Sequence, residues 1–162
     1  MAKESTFDIV SEVDKQEVAN AVNQAAKEIH QRYDFKDTGA TIEHTDNTIT
    51  LTANAADRVN AALDVLQSKL VRRGVSLKAL NAGEPVASGK QHKITATIQE
   101  GIDQPTAKKI SKQIRDSAPK SVKATIQGDQ LRVASKSRDD LQATIELLRD
   151  FEDAPLQFVN FK

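Results

Sequence analysis

The chain has 162 residues, and its 23 basic and 23 acidic side chains give it no net charge at pH 7. This balance excludes general attraction of nucleic acid by overall charge, so any affinity for phosphate must come from local clusters of cations. The sequence has no cysteine, which excludes disulfides, thiolate metal sites and thiol nucleophiles. It also has no apolar run of the roughly 20 residues that span a membrane and no apolar signal core near its start, so we expect a cytoplasmic protein.

The first half of the sequence predicts a strand, a helix, a hairpin, a helix and a strand, in that order. Apolar and polar residues alternate in the runs assigned to strands, whereas apolar residues recur at helical spacing after Asp14 and after Asn54. Both residues are of types that cap helices. The predicted elements are a strand over 7–13, a helix from Asp14 to near Tyr33, hairpin strands over 40–45 and 48–53, a helix from Asn54 that Gly74 ends, and a short strand over 77–80.

The second half repeats this pattern. Leu51 and Leu66 correspond to Val133 and Leu148 at one constant offset, as do other apolar residues of the two halves. The predicted elements are a strand over 93–99, a helix over 103–117, hairpin strands on either side of Gly128 and Asp129, a helix over 137–151 and a strand over 156–161. Each copy reads βαββαβ, so we predict an α+β fold of two tandem ferredoxin-like units. Each unit has a four-stranded antiparallel sheet with two helices on one face.

The stretch over 81–89 predicts a linker between the copies, because it contains Gly83, Pro85, Ser88 and Gly89. If each copy keeps its own strands, the domains are 1–82 and 90–162, joined by a linker over 83–89.

Segments spread over the whole chain resemble the YajQ family of small bacterial nucleotide-binding proteins. They are FDIVSEVD, RYDFK, DVLQSKLVRRGV, KKISKQIRDS, ATIQGDQLRV, SRDDLQ and the closing PLQFVNFK. The resemblance implies two ribonucleoprotein-like domains with exchanged first strands. The first unit would be 14–99, completed by the strand over 93–99, and the second would be 1–13 plus 100–162, completed by the strand over 7–13. The resemblance also implies a ligand-binding protein without catalysis, whose relatives bind ligands from purine nucleotides and cyclic di-GMP to RNA.

The segment RYDFK is the first candidate for a ligand site. Arg32, Tyr33, Phe35 and Lys36 place a guanidinium group, two rings and an ammonium group in a turn between a helix and a strand. This combination suits a purine held between rings with its phosphate on the cations. The alternative is that both rings fill the base of the core while Arg32 and Lys36 are solvated. The sequence leaves both interpretations open.

Two clusters of cations are weaker candidates. Lys69, Arg72 and Arg73 lie near the end of the second predicted helix, where cations also stabilise the helix dipole. Lys108 and Lys112, with Arg115 one turn further on, share a face of the third helix. That face is either a track for anions or an ordinary solvated surface.

The open faces of the predicted sheets lack the aromatic residues on which RNA-recognition domains stack bases. They carry threonine, amide and cationic side chains instead, among them Arg132, which suit hydrogen bonds to phosphate and sugar. Threonine is also simply a good strand former. Alternation predicts that Phe158 and Phe161 point to opposite faces, so that at least one ring is available to a ligand or a domain contact.

Enzyme signatures are absent from the sequence. GEPVASGK has one residue too many between its glycines for a phosphate-binding loop and lacks the following Ser or Thr. The three histidines have no metal-ligand or triad spacing. We therefore expect no cofactor, no metal and no catalysis. The predicted function is binding of a purine nucleotide or a cyclic dinucleotide such as cyclic di-GMP by a sensor or regulator, with RNA or a regulatory protein as further partners. The alternative is an RNA-associated module for tRNA or rRNA.

Overall fold

The computed structural model describes residues 3–162, and this part of the chain is a mixed α/β protein with two antiparallel sheets and four α-helices. The strands are β1 Ser5–Val10, β2 Thr41–Thr45, β3 Thr48–Ala53, β4 Leu80–Ala82, β5 Val86–Ser88, β6 Gln91–Ile98, β7 Lys123–Gln127, β8 Gln130–Ser135 and β9 Gln157–Val159. The helices are α1 Lys15–Gln31, α2 Ala56–Arg72, α3 Gln104–Ser117 and α4 Arg138–Leu148. The architecture is compatible with the predicted tandem of ferredoxin-like units.

The described residues form two compact units. The central unit is Val13–Gln99, and the discontinuous unit joins the residues up to Glu12 with Glu100–Lys162. The sheet of the central unit has the strand order β2-β3-β6-β4, and β5 also pairs with β6. The sheet of the discontinuous unit has the order β7-β8-β1-β9. The first strand of the chain therefore lies between the strands β8 and β9.

Two helices and the inner strands of the sheet build the core of the central unit. Along β6, Ile94 and Ala96 are fully buried, whereas Thr95 and Thr97 between and beyond them are exposed. Successive strand residues point to opposite faces, so this alternation separates a helix-covered face from an open face. The core residues are Val18, Ala21, Val22, Ala25, Ile29, Phe35, Ile49, Leu51, Ala53, Val59, Ala62, Val65, Leu66, Leu70, Val75, Ile94, Ala96 and Ile98.

The discontinuous unit has its own core. Phe7 and Ile9 of β1 are fully buried and lie beside Leu131 and Val133 of β8, which the register pairs with them. The remaining core residues come mainly from α3 and α4, namely Ile102, Ala107, Ile110, Ile114, Val122, Leu141, Ile145 and Leu148. The apolar side chains of β1 are thus buried against residues that lie more than ninety positions later in the sequence.

The predicted helix starts are partly correct. Asp14 caps α1, because its carboxylate accepts hydrogen bonds from the amides of Gln16 and Glu17 at 3.0 and 3.2 Å. The predicted cap of α2 is wrong, since Ala55 holds the N-cap position and makes no side-chain hydrogen bond. Asn54 is engaged elsewhere. Its side-chain amide donates to the Asp37 carbonyl oxygen at 3.3 Å and its backbone amide to the Thr38 carbonyl oxygen at 2.8 Å, and both bonds hold it against the preceding loop.

Two further segments differ from their predictions. The strand predicted over 77–80 is a 3₁₀ turn, Leu77–Ala79, because the Ser76 hydroxyl accepts a hydrogen bond from the Lys78 amide, and β4 begins only at Leu80. The stretch predicted as a linker contains β5, which pairs antiparallel with the beginning of β6. This stretch therefore extends the edge of the sheet of the central unit.

Candidate functional site

The RYDFK segment forms a tight turn between α1 and β2. Arg32 leaves the helix with an extended backbone, and its amide still donates to the Glu28 carbonyl oxygen at 2.9 Å. Tyr33–Phe35 is a 3₁₀ turn, which Lys36 closes by donating its amide to the Tyr33 carbonyl oxygen at 3.0 Å. In such a turn, residues two positions apart point in different directions. The Tyr33 side chain is accordingly 87% exposed, whereas Phe35 is 5% exposed.

The Phe35 ring belongs to the core of the central unit. The guanidinium carbons of Arg32 and Arg58 lie 5.1 and 5.9 Å from the centre of this ring, a distance at which cation–π attraction operates. Of the two roles that the sequence left open, Phe35 has the structural one. Because Phe35 is buried, a purine cannot lie between the two rings of the RYDFK segment. Tyr33 is the one exposed ring of this segment.

Ion pairs connect the turn to both helices of the central unit. Arg32 donates two hydrogen bonds to the Asp34 carboxylate, at 3.0 and 2.8 Å, and a third to Glu28 at 3.2 Å. Glu28 also pairs with Lys69 of α2 at 2.9 Å. Arg58 of α2 lies 3.5 Å from the Asp34 carboxylate and donates to the Asp34 carbonyl oxygen at 3.1 Å. Three cations and two carboxylates thus alternate around the turn.

Mutual hydrogen bonds keep this network charged. The bond from Lys69, followed by that from Arg32, lowers the pKa of the Glu28 carboxyl below its ordinary value. The bond from Arg32 likewise lowers the pKa of Asp34, and the two carboxylates raise the pKa of Arg32. Glu28, Asp34 and Arg32 are therefore ionised near neutral pH.

We define the Tyr33 surface as Arg32, Tyr33, Lys36 and Arg58, with Lys69 attached through Glu28. Lys36 is exposed and forms no ion pair with any residue between 3 and 162. The surface therefore presents one exposed ring in a turn that also carries Arg32 and Lys36, and three of its four cations contact carboxylates. A flat ring together with a positive charge suits a base and its phosphate.

The other predicted cations of α2 lie apart from this network. Arg73 caps the end of α2 and approaches Glu17 at 3.7 Å, while Arg72 is exposed beside it. Of the predicted cluster of three, only Lys69 is connected to the RYDFK segment within residues 3–162, through the ion pair with Glu28, which in turn accepts a hydrogen bond from Arg32. Arg72 and Arg73 occupy the end of a helix, where a positive charge favours the dipole.

Four predicted residues belong to the discontinuous unit. Lys108 and Lys112 are exposed on α3. Arg132 is on the open face of β8, where its Nε donates to the Asp8 carboxylate at 3.0 Å. Phe158 packs edge-on against Phe7, with ring centres 5.9 Å apart, and is therefore on the core side of the sheet.

The prediction that Phe158 and Phe161 point to opposite faces is wrong. Both rings contact Phe7, the second with its centre at 5.7 Å. The alternation fails because β9 ends at Val159 and Asn160 has a left-handed backbone, with φ of 57°. The Phe161 side chain remains 62% exposed.

The open face of the central sheet carries rows of threonine. The register places Thr48 opposite Thr97 and Thr50 opposite Thr95, and Thr52 lies opposite Lys93. These side chains are exposed or half-buried. The face offers hydroxyl groups and a cation but no aromatic ring, as the sequence predicted.

Sequence reasoning missed Glu28 and Arg58. Glu28 lies four positions before Arg32, a helical spacing at which an ion pair is expected, so this residue could have been found. Arg58 is more than twenty positions from the turn, and only the packing of α2 against α1 brings it there. No local pattern marks it.

Within residues 3–162, no group of three or more His, Cys, Asp or Glu side chains is arranged to hold a metal ion. Over the same range no helix is both long and apolar enough to cross a membrane. The polar groups of the Tyr33 surface are cations and a phenol, which hold anions and rings and not metals.

Comparison with known proteins identifies the family of this chain. The family model described as "Nucleotide-binding protein YajQ-like" matches residues 5–162. The chain belongs to the YajQ family. This confirms the resemblance seen in the sequence. A nucleotide-binding protein of Streptomyces coelicolor is 62% identical over 161 residues, which cover 98% of this chain and 99% of the relative. Relatives with the same description include one from Nocardia farcinica, 62% identical with the same coverage, and one from Thermobifida fusca, 55% identical over the full length of both chains.

The YajQ family match covers parts of both units, and the Tyr33 surface and the four candidate residues of the discontinuous unit lie within it. The descriptions of these relatives name binding and no catalytic activity.

Proposed function

We propose that this YajQ-family protein binds a purine nucleotide, or a cyclic dinucleotide such as cyclic di-GMP, at the Tyr33 surface. It acts there as a non-catalytic sensor or regulator in the cytoplasm. The observation that carries the proposal is the Tyr33 ring, which is 87% exposed in a turn that also carries Arg32 and Lys36 and to which Arg58 of α2 is hydrogen-bonded. The nucleotide-binding descriptions of the family and of its curated members support the same class of ligand.

Stacking supplies the first part of the binding. Every base has a π-face, and a base that stacks on an aromatic side chain gains about 1–3 kcal/mol. The 3₁₀ turn holds Tyr33 through the hydrogen bond between its carbonyl oxygen and the Lys36 amide. The ring is therefore presented by a fixed backbone, which lowers the entropy lost on binding.

Cations supply the second part. The contacts of Arg58 with the carboxylates of Asp34 and Asp57 are both 3.5 Å long, beyond the usual range of a good hydrogen bond. Lys36, which forms no ion pair within residues 3–162, can therefore turn to a phosphate at little cost. Arg58 can exchange these two long contacts for a phosphate while its 3.1 Å hydrogen bond to the Asp34 carbonyl oxygen keeps it beside the turn. Arg32 is held more tightly, at 2.8 and 3.0 Å from Asp34, and positions the turn.

RNA binding is a second candidate function, favoured by a different surface. From 104 to 123 the chain has six cations against one acidic residue, namely Lys108, Lys109, Lys112, Arg115, Lys120 and Lys123 against Asp116. Lys109 pairs with Asp153, but among the described residues Lys108, Lys112 and Arg115 form no ion pair and are exposed on α3. Such a track suits a polyanion whose affinity falls steeply with salt.

We also propose that each unit is a ferredoxin-like domain completed by the first strand of the other sequence copy, over 14–99 and over 1–13 with 100–162. The pairing of β1 with β8 and β9, and of β6 with β3 and β4, supports this division. So does the grouping of Val13–Gln99 into one unit. The boundaries 1–82 and 90–162 would instead separate each first strand from the core that buries it.

Isothermal titration with ATP, GTP, cyclic di-GMP and a short single-stranded RNA tests the function. We expect one of the nucleotides to bind with micromolar or better affinity, and Tyr33→Ala to weaken it at least tenfold, or about 1.4 kcal/mol. Tyr33→Phe is the matched control, since it keeps the ring and should retain the affinity. Arg58→Ala should weaken the phosphate contact, whereas Arg72→Ala, which removes an exposed cation outside the surface, should not.

Three outcomes separate the candidates. Equal affinity in the wild-type protein and Tyr33→Ala would refute the Tyr33 surface as the site. Binding of RNA alone, with steep salt dependence and sensitivity to Lys108→Ala and Lys112→Ala, would favour the second function. Turnover of any titrated nucleotide by the homogeneous protein would refute the non-catalytic role.

A further inference from the structure

A groove beside α4 in the discontinuous unit has the size of a small-ligand site. Its volume is about 340 Å³, at the small end of the range of roughly 300–1,000 Å³ for ligand pockets. We call it the α4 groove. It is lined by Ser5 and Thr6 of β1, by Arg138, Leu141, Gln142 and Ile145 of α4, and by Phe161 and Lys162. None of these residues belongs to the Tyr33 surface.

The α4 groove contains an aromatic ring in a fixed position. Phe161 leans against the fully buried Phe7, with ring centres 5.7 Å apart and planes inclined at 31°, yet its side chain is 62% exposed. The adjoining backbone is held by a reciprocal pair of hydrogen bonds between Thr6 and Lys162, each 3.0 Å long. The ring is thus supported on the core side and open on the other, like a platform on which a flat group can stack.

The floor and the rim of the α4 groove differ in polarity. Leu141 and Ile145 form an apolar floor and are 6% and 7% exposed. Gln142 and the hydroxyl residues of β1 add a few hydrogen-bonding groups around it. An apolar floor with a small number of polar groups is the usual composition of a site for a small organic ligand.

Two cations complete the lining. Arg138 and Lys162 are exposed, and neither forms an ion pair with any residue in the described range 3–162. The arginine and lysine of the Tyr33 surface that contact Glu28 are already paired. Arg138 is also the first residue of α4, where the helix dipole favours an anion, although the Asp140 amide already donates to the Ser137 hydroxyl oxygen. Asp139 and Asp140 offset part of this field, but Asp140 accepts a hydrogen bond from Ser121.

We propose that the α4 groove binds a small aromatic phosphomonoester of the nucleoside 5′-monophosphate class. The base stacks on the open side of Phe161, and Arg138 and Lys162 hold the phosphate. A phosphomonoester carries a charge of about −1.5 to −2 at pH 7, which matches two cations, whereas a phosphodiester has only one negative charge. This proposal does not rest on the Tyr33 surface, which lies in the central unit.

Titration of the full-length protein and of Tyr33→Ala with GMP and AMP tests the proposal. We expect a monophosphate to bind both proteins equally, and guanosine and 3′,5′-cyclic GMP to bind at least tenfold more weakly. Arg138→Ala should reduce the affinity at least tenfold. Phe161→Leu should reduce it about fivefold, whereas Phe161→Tyr, which keeps the ring, should not. Lys136→Ala removes an exposed cation of the same unit that lies outside the groove lining, and is the control.

The dependence on pH gives a second readout. The second ionisation of a phosphomonoester has a pKa of about 6, so the affinity should fall severalfold between pH 7.5 and pH 5. Unchanged melting temperatures would show that Arg138→Ala and Phe161→Leu remain folded. The proposal is overturned if no monophosphate binds, if Arg138→Ala and Phe161→Leu both bind like the wild type, or if Tyr33→Ala alone abolishes binding. The last result would place the nucleotide at the Tyr33 surface.

Discussion

Replacement of Asp8 by asparagine should destabilise the discontinuous unit. The Asp8 side chain is 3% exposed and accepts hydrogen bonds from Arg132 Nε at 3.0 Å and from Asn160 Nδ2 at 2.9 Å. An amide at this position keeps one acceptor oxygen but turns an NH₂ group toward the second donor. A hydrogen bond to a charged group contributes about 1.5–3 kcal/mol, and the Arg132 side chain is 47% exposed, so solvent screens part of this. We expect Asp8→Asn to cost about 2–3 kcal/mol at pH 7.

The effect of pH has a defined sign. The hydrogen bond from Arg132, followed by that from Asn160, lowers the pKa of the Asp8 carboxyl in the folded protein, against the opposing effect of burial. The stabilisation is therefore complete above the pKa of the unfolded chain, near 3.8, and is lost as the pH falls through the folded value. Between pH 5 and 7 the difference in unfolding free energy between wild type and Asp8→Asn should be constant. Below about pH 4 it should shrink.

Urea unfolding followed by far-ultraviolet circular dichroism at several pH values measures this difference. Asp116→Asn, at an exposed position of the same unit, is the control and should change stability by less than about 0.5 kcal/mol. The reasoning would be refuted if Asp8→Asn had the same free energy of unfolding as the wild type at pH 7. It would also be refuted if the difference between the two proteins grew as the pH falls.

Two further predictions concern the core and the division of the chain. Phe35→Ala should lower the free energy of unfolding by about 3–5 kcal/mol, because it leaves a cavity in the core. Tyr33→Ala should lower it by less than about 0.5 kcal/mol, because the Tyr33 ring is solvated. Equal losses in urea unfolding would contradict the assignment of the two rings. A fragment of residues 13–99 should unfold cooperatively by circular dichroism, and one of residues 1–82 should not, because it lacks β6, which lies between β3 and β4 and buries Ile94 and Ala96. A cooperative 1–82 fragment would argue against exchanged first strands.

Local patterns predicted most of the elements. The helical spacing of Val18, Val22, Ala25 and Ile29 after the cap residue Asp14 corresponds to α1 and its buried stripe. The alternation of the central hairpin corresponds to β2 and β3. Both signals depend only on neighbours within a few residues, since burial of one face requires a period of 3.6 in a helix and of two in a strand.

Predictions failed where hydrogen bonds to residues far along the chain replaced the local interaction that the sequence pattern indicated. Asn54 has the chemistry of a helix cap, yet its side-chain amide donates to the Asp37 carbonyl oxygen and its backbone amide to that of Thr38. Ala55 precedes α2 without a side-chain cap. The alternation of Phe158 and Phe161 ends at the left-handed Asn160, after which the chain continues beside β1 through Lys162. In both cases a long-range hydrogen bond decided the backbone course.

For the candidate site, too, the sequence shows the residue types and the tertiary structure decides their arrangement. Its residue types are visible in the sequence, because RYDFK places two rings among cations within five positions. Only the tertiary structure decided that Phe35 is buried while Tyr33 is exposed. It also decided that Arg58, from α2, lies against the Phe35 ring. The α4 groove was invisible for this reason too, since its lining comes from β1, α4 and the residues after β9.

The sequence by itself determined the two copies, the order of helices and strands in each, and the residues that must be buried, because these follow from periodic burial along a short segment. The tertiary structure decided which sheet each strand joins, which rings remain exposed and which cations find a carboxylate. Those outcomes depend on distances between residues far apart in the chain, such as Asp8 and Arg132 or Glu28 and Lys69, and no local pattern carries that information.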